Sequence, residues 1–173
     1  HVEIGTITED QNGSIWVGSD NGLSKLESSD EPVPENRFIN YYHQSLNENS
    51  LLSNSIKVVY VDSRNALWVG TYYGGINVYN PNLYKFSPIR HKPWVASSLS
   101  HNNVTAFAED QAGNLWIGTD GGGVNLLKNA VKNTFKDNFT KIDIKRSENQ
   151  ALETKVKTMK FDRDGNLWIG FWV

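Results

Sequence analysis

The chain has no cysteine among its 173 residues. That absence removes a disulfide framework, a thiolate nucleophile and any cysteine-ligated zinc site, and it selects no redox compartment. Proline occurs five times and methionine once. No run of about 18 apolar residues is present, so no stretch reads as a membrane-spanning helix, and no basic-then-apolar leader is visible. Charge of either sign is modest: 17 basic and 19 acidic residues leave a net −2 and a pI near 6.1. Such a balance offers no electrostatic footprint for nucleic acid or for an anionic membrane surface, and neither is expected as a partner of this segment. The four histidines, at positions 1, 43, 91 and 101, show no close metal-ligand spacing, so no metal site is expected.

Aromatic residues are abundant at 12%, and six are tryptophan. Their placement is periodic. Asp10-Gln11-Asn12-Gly13-Ser14-Ile15-Trp16-Val17-Gly18 returns in related form at 62–70, 110–118 and 162–170, each time with Asp six residues before Trp and Gly two after it. The tryptophans at 16, 68, 116 and 168 are spaced by 52, 48 and 52 residues. A period near 50 is the mark of a propeller or another repeat array. Four copies of one residue serve four copies of a structural unit, so function is sought where the copies differ.

Within each unit the residues before the Asp alternate as an extended strand, as in Ile56, Val58 and Tyr60 against Lys57, Val59 and Val61. The Asp-x-x-Gly-Asn segment supplies turn chemistry, because Asp bonds its own backbone two residues on and Gly or Asn tolerates positive φ. Strand two then holds the Trp, as in Leu67-Trp68-Val69. A Gly-rich connection leads to strand three (Leu23–Leu26, Ile76–Tyr79, Val124–Leu127), and a fourth begins near Phe38, Phe86 and Phe139. The expected fold is all-β: propeller blades of four antiparallel strands, three complete and the first half of a fourth, 14 strands in all. The expected blades fall at about 1–50, 51–98, 99–150 and 151–173. Because the chain begins and ends inside a unit, it is expected to be part of a longer polypeptide. Either flanking blades of the same polypeptide cover its open faces or the piece self-associates.

The repeated Trp reads as a blade-packing residue whose indole N–H finds a local acceptor. The repeated Asp reads as a turn cap, since it lacks the dense oxygen ligands of a calcium loop. Asp120-Gly121-Gly122-Gly123 precedes a strand and no helix, so it is not read as a phosphate cradle, and no cofactor is expected. No Gly-x-Ser-x-Gly nucleophile elbow occurs, and no catalytic residue is assigned. The loop joining strands two and three and the loop leading into strand one should emerge on one face. They carry the candidate ligand-binding residues Asp20, Asn21, Tyr72, Tyr73 and Asp120, then Asn54, His101 and Asn102, with Ser53 beside them. Carboxylates, amides and phenol rings suit a neutral polar ligand such as an oligosaccharide. Trp94 and His91 form a second, weaker patch.

The run Glu109-Asp110-Gln111-Ala112-Gly113-Asn114-Leu115-Trp116-Ile117-Gly118-Thr119-Asp120-Gly121-Gly122-Gly123-Val124-Asn125 resembles the two-component regulator propeller repeat. Ser97-Ser98-Leu99-Ser100-His101-Asn102-Asn103-Val104 before it adds to the likeness. Asn65-Ala66 departs from the Gly-Asn turn, and Phe171-Trp172 stands where the other repeats have Thr-Asp or its variants. The resemblance implies the periplasmic sensor portion of an inner-membrane hybrid histidine kinase. It also implies a dimeric full-length protein, membrane contact only through other segments, and detection of glycan fragments that switches on genes for their use. This segment would be noncatalytic. Two other readings are a protein-interaction propeller and a lyase-type propeller enzyme, which resembles streptogramin lyase and would use His101 as general base.

Overall fold

The computed structural model describes residues 3–28, 38–80, 85–128, 138–144 and 154–172. The blade limits drawn at 150 and 151, and the chain ends His1, Val2 and Val173, lie outside them. Fourteen strands are formed among the described residues. They are β1 (Ile4–Glu9), β2 (Ile15–Ser19), β3 (Gly22–Leu26), β4 (Phe38–Tyr41), β5 (Ile56–Val61), β6 (Leu67–Thr71), β7 (Gly75–Asn80), β8 (Lys85–Ile89), β9 (Val104–Glu109), β10 (Leu115–Thr119), β11 (Gly123–Leu127), β12 (Phe139–Ile142), β13 (Val156–Phe161) and β14 (Leu167–Phe171). Consecutive strands pair antiparallel into three four-stranded sheets and one two-stranded sheet. The first strands β1, β5, β9 and β13 touch one another in series, and β2, β6 and β10 each touch the first strand of the following sheet. This is a partial β-propeller, as the repeat pattern requires.

The Asp-to-Trp interval has a direct physical cause. Asp10 Oδ1 accepts the backbone N–H of Asn12 and Ser14 at 2.9 and 3.0 Å, while its Oδ2 accepts the indole N–H of Trp16 at 2.8 Å. Asp62 does the same for Arg64, Ala66 and Trp68, Asp110 for Ala112, Asn114 and Trp116, and Asp162 for Asp164, Asn166 and Trp168. One carboxylate therefore closes the turn and satisfies the indole it would otherwise bury unpaired. Although burial alone would raise it, Asp110 is held below the usual carboxylate range by hydrogen bonds from Asn114 and Trp116. Exposed Asp162 is brought to about 2, first by Trp168 and then by Asn166. The departure at Asn65-Ala66 keeps the turn: Asn65 takes φ 63°, beside 78° and 75° for Gly13 and Gly113, since Asn tolerates the left-handed region, while Ala66 forgoes the amide bond that Asn114 and Asn166 give to Asp110 and Asp162.

The Gly that follows each Trp is fixed by close approach. A Cβ on Gly70 would lie 2.6 Å from Val58 Cγ1 and 2.8 Å from Val104 Cγ1, and one on Gly118 would lie 2.5 Å from Val156 Cγ1. Thus the first strand of each following sheet seats a β-branched side chain over this glycine. The tryptophans pack at the same junctions: Trp16 meets Tyr79 of the second sheet, Trp68 meets Phe107 of the third and Trp116 meets Phe161 of the fourth. Trp68 is sealed at 0% exposure, whereas Trp168, with no described sheet after it, is 69% exposed.

At the turn end, Ser63 donates from its N–H and hydroxyl to Glu109 at 2.8 and 2.6 Å, joining the second and third sheets. Burial, with Glu109 and Asp62 adding repulsion, pushes the Tyr60 phenol up to about 12. At the opposite end two long connections repeat one pattern. His43 N–H donates to Asn54 Oδ1 at 2.6 Å, its ring Nδ1 lies 2.7 Å from Leu51 O, and Gln44 N–H donates to Ser50 Oγ at 2.9 Å. His91, Asn102, Leu99, Lys92 and Ser98 reproduce these contacts at 2.7, 2.7 and 3.0 Å. Each connection also holds the next outer strand, through Phe86 N–H to Asn49 O and Phe139 N–H to Ser97 O.

Candidate functional site

The loops β2–β3, β6–β7 and β10–β11 meet the ends of the long connections on one face, as the strand order demands. Gly22 N–H donates to Asn54 O, Gly75 N–H to Asn102 O, Tyr72 N–H to Ser55 O and Asp120 N–H to Asn103 O, all within 2.7–2.9 Å. All eight candidate residues lie on this loop face, but the structure does not gather them into one cluster.

Tyr72, Tyr73, His101 and Asp120 come together where the second sheet meets the third. The Tyr72 and Tyr73 rings lie 4.0 Å apart between centroids, and the Tyr72 hydroxyl donates to the Tyr73 hydroxyl at 3.1 Å. Tyr73 meets the His101 ring edge-on at 6.5 Å. The adjoining Tyr72 phenol foremost, with the negative charge of Asp120 contributing, raises the Tyr73 phenol above its ordinary value. Asp120 Oδ2 accepts from Asn103 Nδ2 at 3.2 Å, and Asn103 N–H donates to His101 Nδ1 at 3.1 Å. With Nδ1 so occupied, the neutral imidazole carries its proton on Nε2 and presents a donor.

Two local costs coincide here. Tyr73 sits at φ 61°, where the third sheet's loop has Gly121; the left-handed region costs an ordinary residue about 1–2 kcal/mol. Asn103 is 4% exposed and its Oδ1 has no hydrogen-bond partner, a deficit of about 1–3 kcal/mol. Strain of this kind collects at functional sites.

The other candidates hold the scaffold. Asp20 Oδ1 accepts from Glu3 N–H at 3.2 Å, and the Oδ1 atoms of Asn54 and Asn102 are taken by the backbone N–H of His43 and His91. Asn21 is exposed, with its N–H bonded to Ser19 Oγ. At the junction of the first and second sheets Ser53 stands where His101 stands, and its hydroxyl accepts from Ser55 N–H at 3.2 Å. His101 thus performs the turn-capping of a serine and adds a ring nitrogen. His91 belongs to the repeated connection, while Trp94 is 94% exposed.

Three residues were missed by the sequence reading. Lys57 places Nζ 4.9 Å over the Tyr72 ring, and Lys157 places Nζ 3.9 Å over the Trp172 ring. Both occupy a β-bulge that recurs opposite the glycine in every sheet, between Ile56 and Val58 and between Val156 and Thr158. A bulge re-aims the extra side chain. The signal was a lysine 15 residues before an aromatic in the second and fourth units only. Asn103 was the other omission. A cavity of about 390 Å³ lies apart from the cluster, between the two long connections, and is lined by His43, Glu48, Leu51, Arg90 and Lys92 among others. It includes none of the eight candidates. Among the described residues no group of three or more His, Asp or Glu is placed to hold a metal ion, and no helix is long and apolar enough to cross a membrane.

The class defined by these features is a propeller segment with a differentiated loop face. Residues 1–21, 50–73 and 98–121 match the two component regulator propeller family. The extracellular domain of a hybrid two component system from B. thetaiotaomicron is similar at 28% identity and TM-score 0.79, over 98% of this chain and 22% of that one. A second extracellular domain from the same organism, of a one component system, gives 23% identity and TM-score 0.78 over 99% and 22%. Virginiamycin B lyase from Staphylococcus aureus, at 17% identity and TM-score 0.62 over 98% and 49%, shares the fold. The chain thus spans about a fifth of the length of the extracellular domains it matches. No curated protein matches it by sequence.

Proposed function

We propose that this chain is a noncatalytic, ligand-sensing part of the extracytoplasmic region of a hybrid two-component sensor histidine kinase, and that an oligosaccharide is its ligand. The observation that carries this reading is the Tyr72–Tyr73–His101–Asp120 group, where exposed phenol rings, a carboxylate and an oriented imidazole meet at a junction between two sheets. Aromatic faces stack on sugar rings while polar groups bond the hydroxyls. The likeness to extracellular domains of bacterial sensors supports the same placement. A ligand bridging two blades favours one arrangement of a dimeric ectodomain over another, and that difference in affinity is the signal. In the complete inner-membrane protein it controls genes for glycan use. The blades run at about 1–50, 51–98, 99–150 and 151–173, and further blades of the same polypeptide cover exposed Ile7 and Trp168.

His101 argues against a lyase: its Nδ1 is occupied by Asn103 N–H, and the remaining nitrogen offers a proton where a base must accept one. A second reading, a docking platform for another protein, draws on Trp94 and Leu46. Both are exposed, and each lies three residues after the scaffold histidine of its connection. Calorimetry of the complete extracellular region against a panel of oligosaccharides tests the proposal. Saturable heat with one class of sugar is expected; no heat across the panel would contradict it.

A further inference from the structure

The recognition chemistry at the junction of the second and third sheets is more specific than the sensing role on which it rests. Asp120 Oδ2 is held by Asn103 Nδ2 at 3.2 Å, and the side-chain Oδ1 of Asn103 has no hydrogen-bond partner. The amide is therefore committed to fixing the carboxylate. Among the described residues the ion pairs are Lys25–Glu27 and Arg64–Asp62, so Asp120 faces the loop surface with no cation bonded to it. Beside it, Tyr73 accepts from Tyr72 and has its own hydroxyl proton to give, and His101 presents Nε2–H. The group thus offers one fixed anionic acceptor, two neutral donors and an aromatic face, with the Lys57 ammonium 4.9 Å over the Tyr72 ring. The corresponding junction of the first and second sheets has Asp20, Asn21, Ser53, Ser55 and Tyr72 in these places: its carboxylate stands on the other loop, where Glu3 N–H bonds it, and it lacks the imidazole.

The geometry points to a subsite for an uncharged sugar ring, with adjacent hydroxyls donating to the Asp120 carboxylate, Tyr73 and His101 donating to ring or hydroxyl oxygens, and the ring lying against Tyr73. A carboxylate without a counter-ion accepts two hydroxyl donors well and repels a uronate or sulfate. Acidic glycans are excluded by the same residue that binds neutral ones. Asn103 is a positioning residue in this arrangement.

The test uses the complete extracellular region and calorimetry with neutral probes (cellotetraose, xylotetraose, mannotetraose, maltotetraose) and acidic probes (tetragalacturonate, a hyaluronan tetrasaccharide). A neutral probe is expected to bind, and Asp120→Asn is expected to weaken it tenfold or more with an unchanged melting temperature. Tyr73→Gly gives the second arm: glycine relieves the left-handed backbone, so the variant should melt no lower than the parent while losing the probe. Tighter binding of an acidic probe, or neutral-probe affinity unchanged in both variants, would overturn the subsite while leaving the sensing role intact. Silence across all probes would overturn the sensing role, and the subsite with it.

Discussion

The indole N–H of Trp68 donates to Asp62 Oδ2 at 3.0 Å, with both side chains sealed from solvent. The other oxygen of the same carboxylate caps the turn that brings Trp68 into reach. Asp62→Ala therefore strips partners from two backbone donors and a buried indole at once. A loss of about 2–4 kcal/mol is expected in urea denaturation of the complete extracellular region. Asp162→Ala should cost clearly less, because Trp168 is exposed; equal losses at the two sites would contradict the burial argument.

Gly70 is the seat for Val104 of the following sheet. Gly70→Ala places a methyl inside van der Waals distance of Val58 and Val104, and overpacking of this kind costs about 1–3 kcal/mol. Adding Val104→Ala should recover part of that loss. Failure of the second substitution to recover any would place the strain elsewhere.

The repeat was legible because turn chemistry, strand alternation and burial all act within about ten residues of one another in sequence. Asp62, Trp68 and Gly70 recur in every unit, and periodicity exposes whatever recurs. The loop face was also legible, since strand order alone puts Tyr72, Tyr73, His101 and Asp120 at the same end. The grouping was not. That Asn54 and Asn102 spend their Oδ1 on His43 and His91, while His101 and Asp120 meet through Asn103, depends on long-range packing of the connections. Lys57 was hidden for another reason: a β-bulge turns a residue that alternation assigns to one face.

Ser100 and Leu52 occupy equivalent places with unequal results. Ser100 Oγ accepts from buried Asn125 Nδ2 at 2.8 Å, whereas Asn77 Nδ2 has no partner beside Leu52. Leu52→Ser supplies the missing acceptor. A double-mutant cycle of Leu52→Ser with Asn77→Val should give a favourable coupling of about 1 kcal/mol by thermal denaturation. Zero coupling would show that the serine does not reach Asn77.

Asp110 and Asp162 have folded pKa values below their ordinary 3.8, with Asp162 near 2. A depressed carboxylate contributes stability that is full above its unfolded value and is lost as pH falls through the folded one. Stability should decline from about pH 4 downward, with the Asp162 share lost toward pH 2. A carboxyl-resonance titration should place Asp162 near 2, and Trp168→Phe should move it toward the ordinary range. An unmoved midpoint would remove the indole as the cause.

Hydrogen exchange of the complete extracellular region, with and without a saturating oligosaccharide that gives heat in calorimetry, tests the central claim most directly. Protection confined to the backbone around 72–74, 100–103 and 120–122, with no change in the turns after Asp62 and Asp110, is the predicted result. Protection at those turns or in the cavity between the long connections, with the Tyr73 and Asp120 loops unchanged, would contradict it.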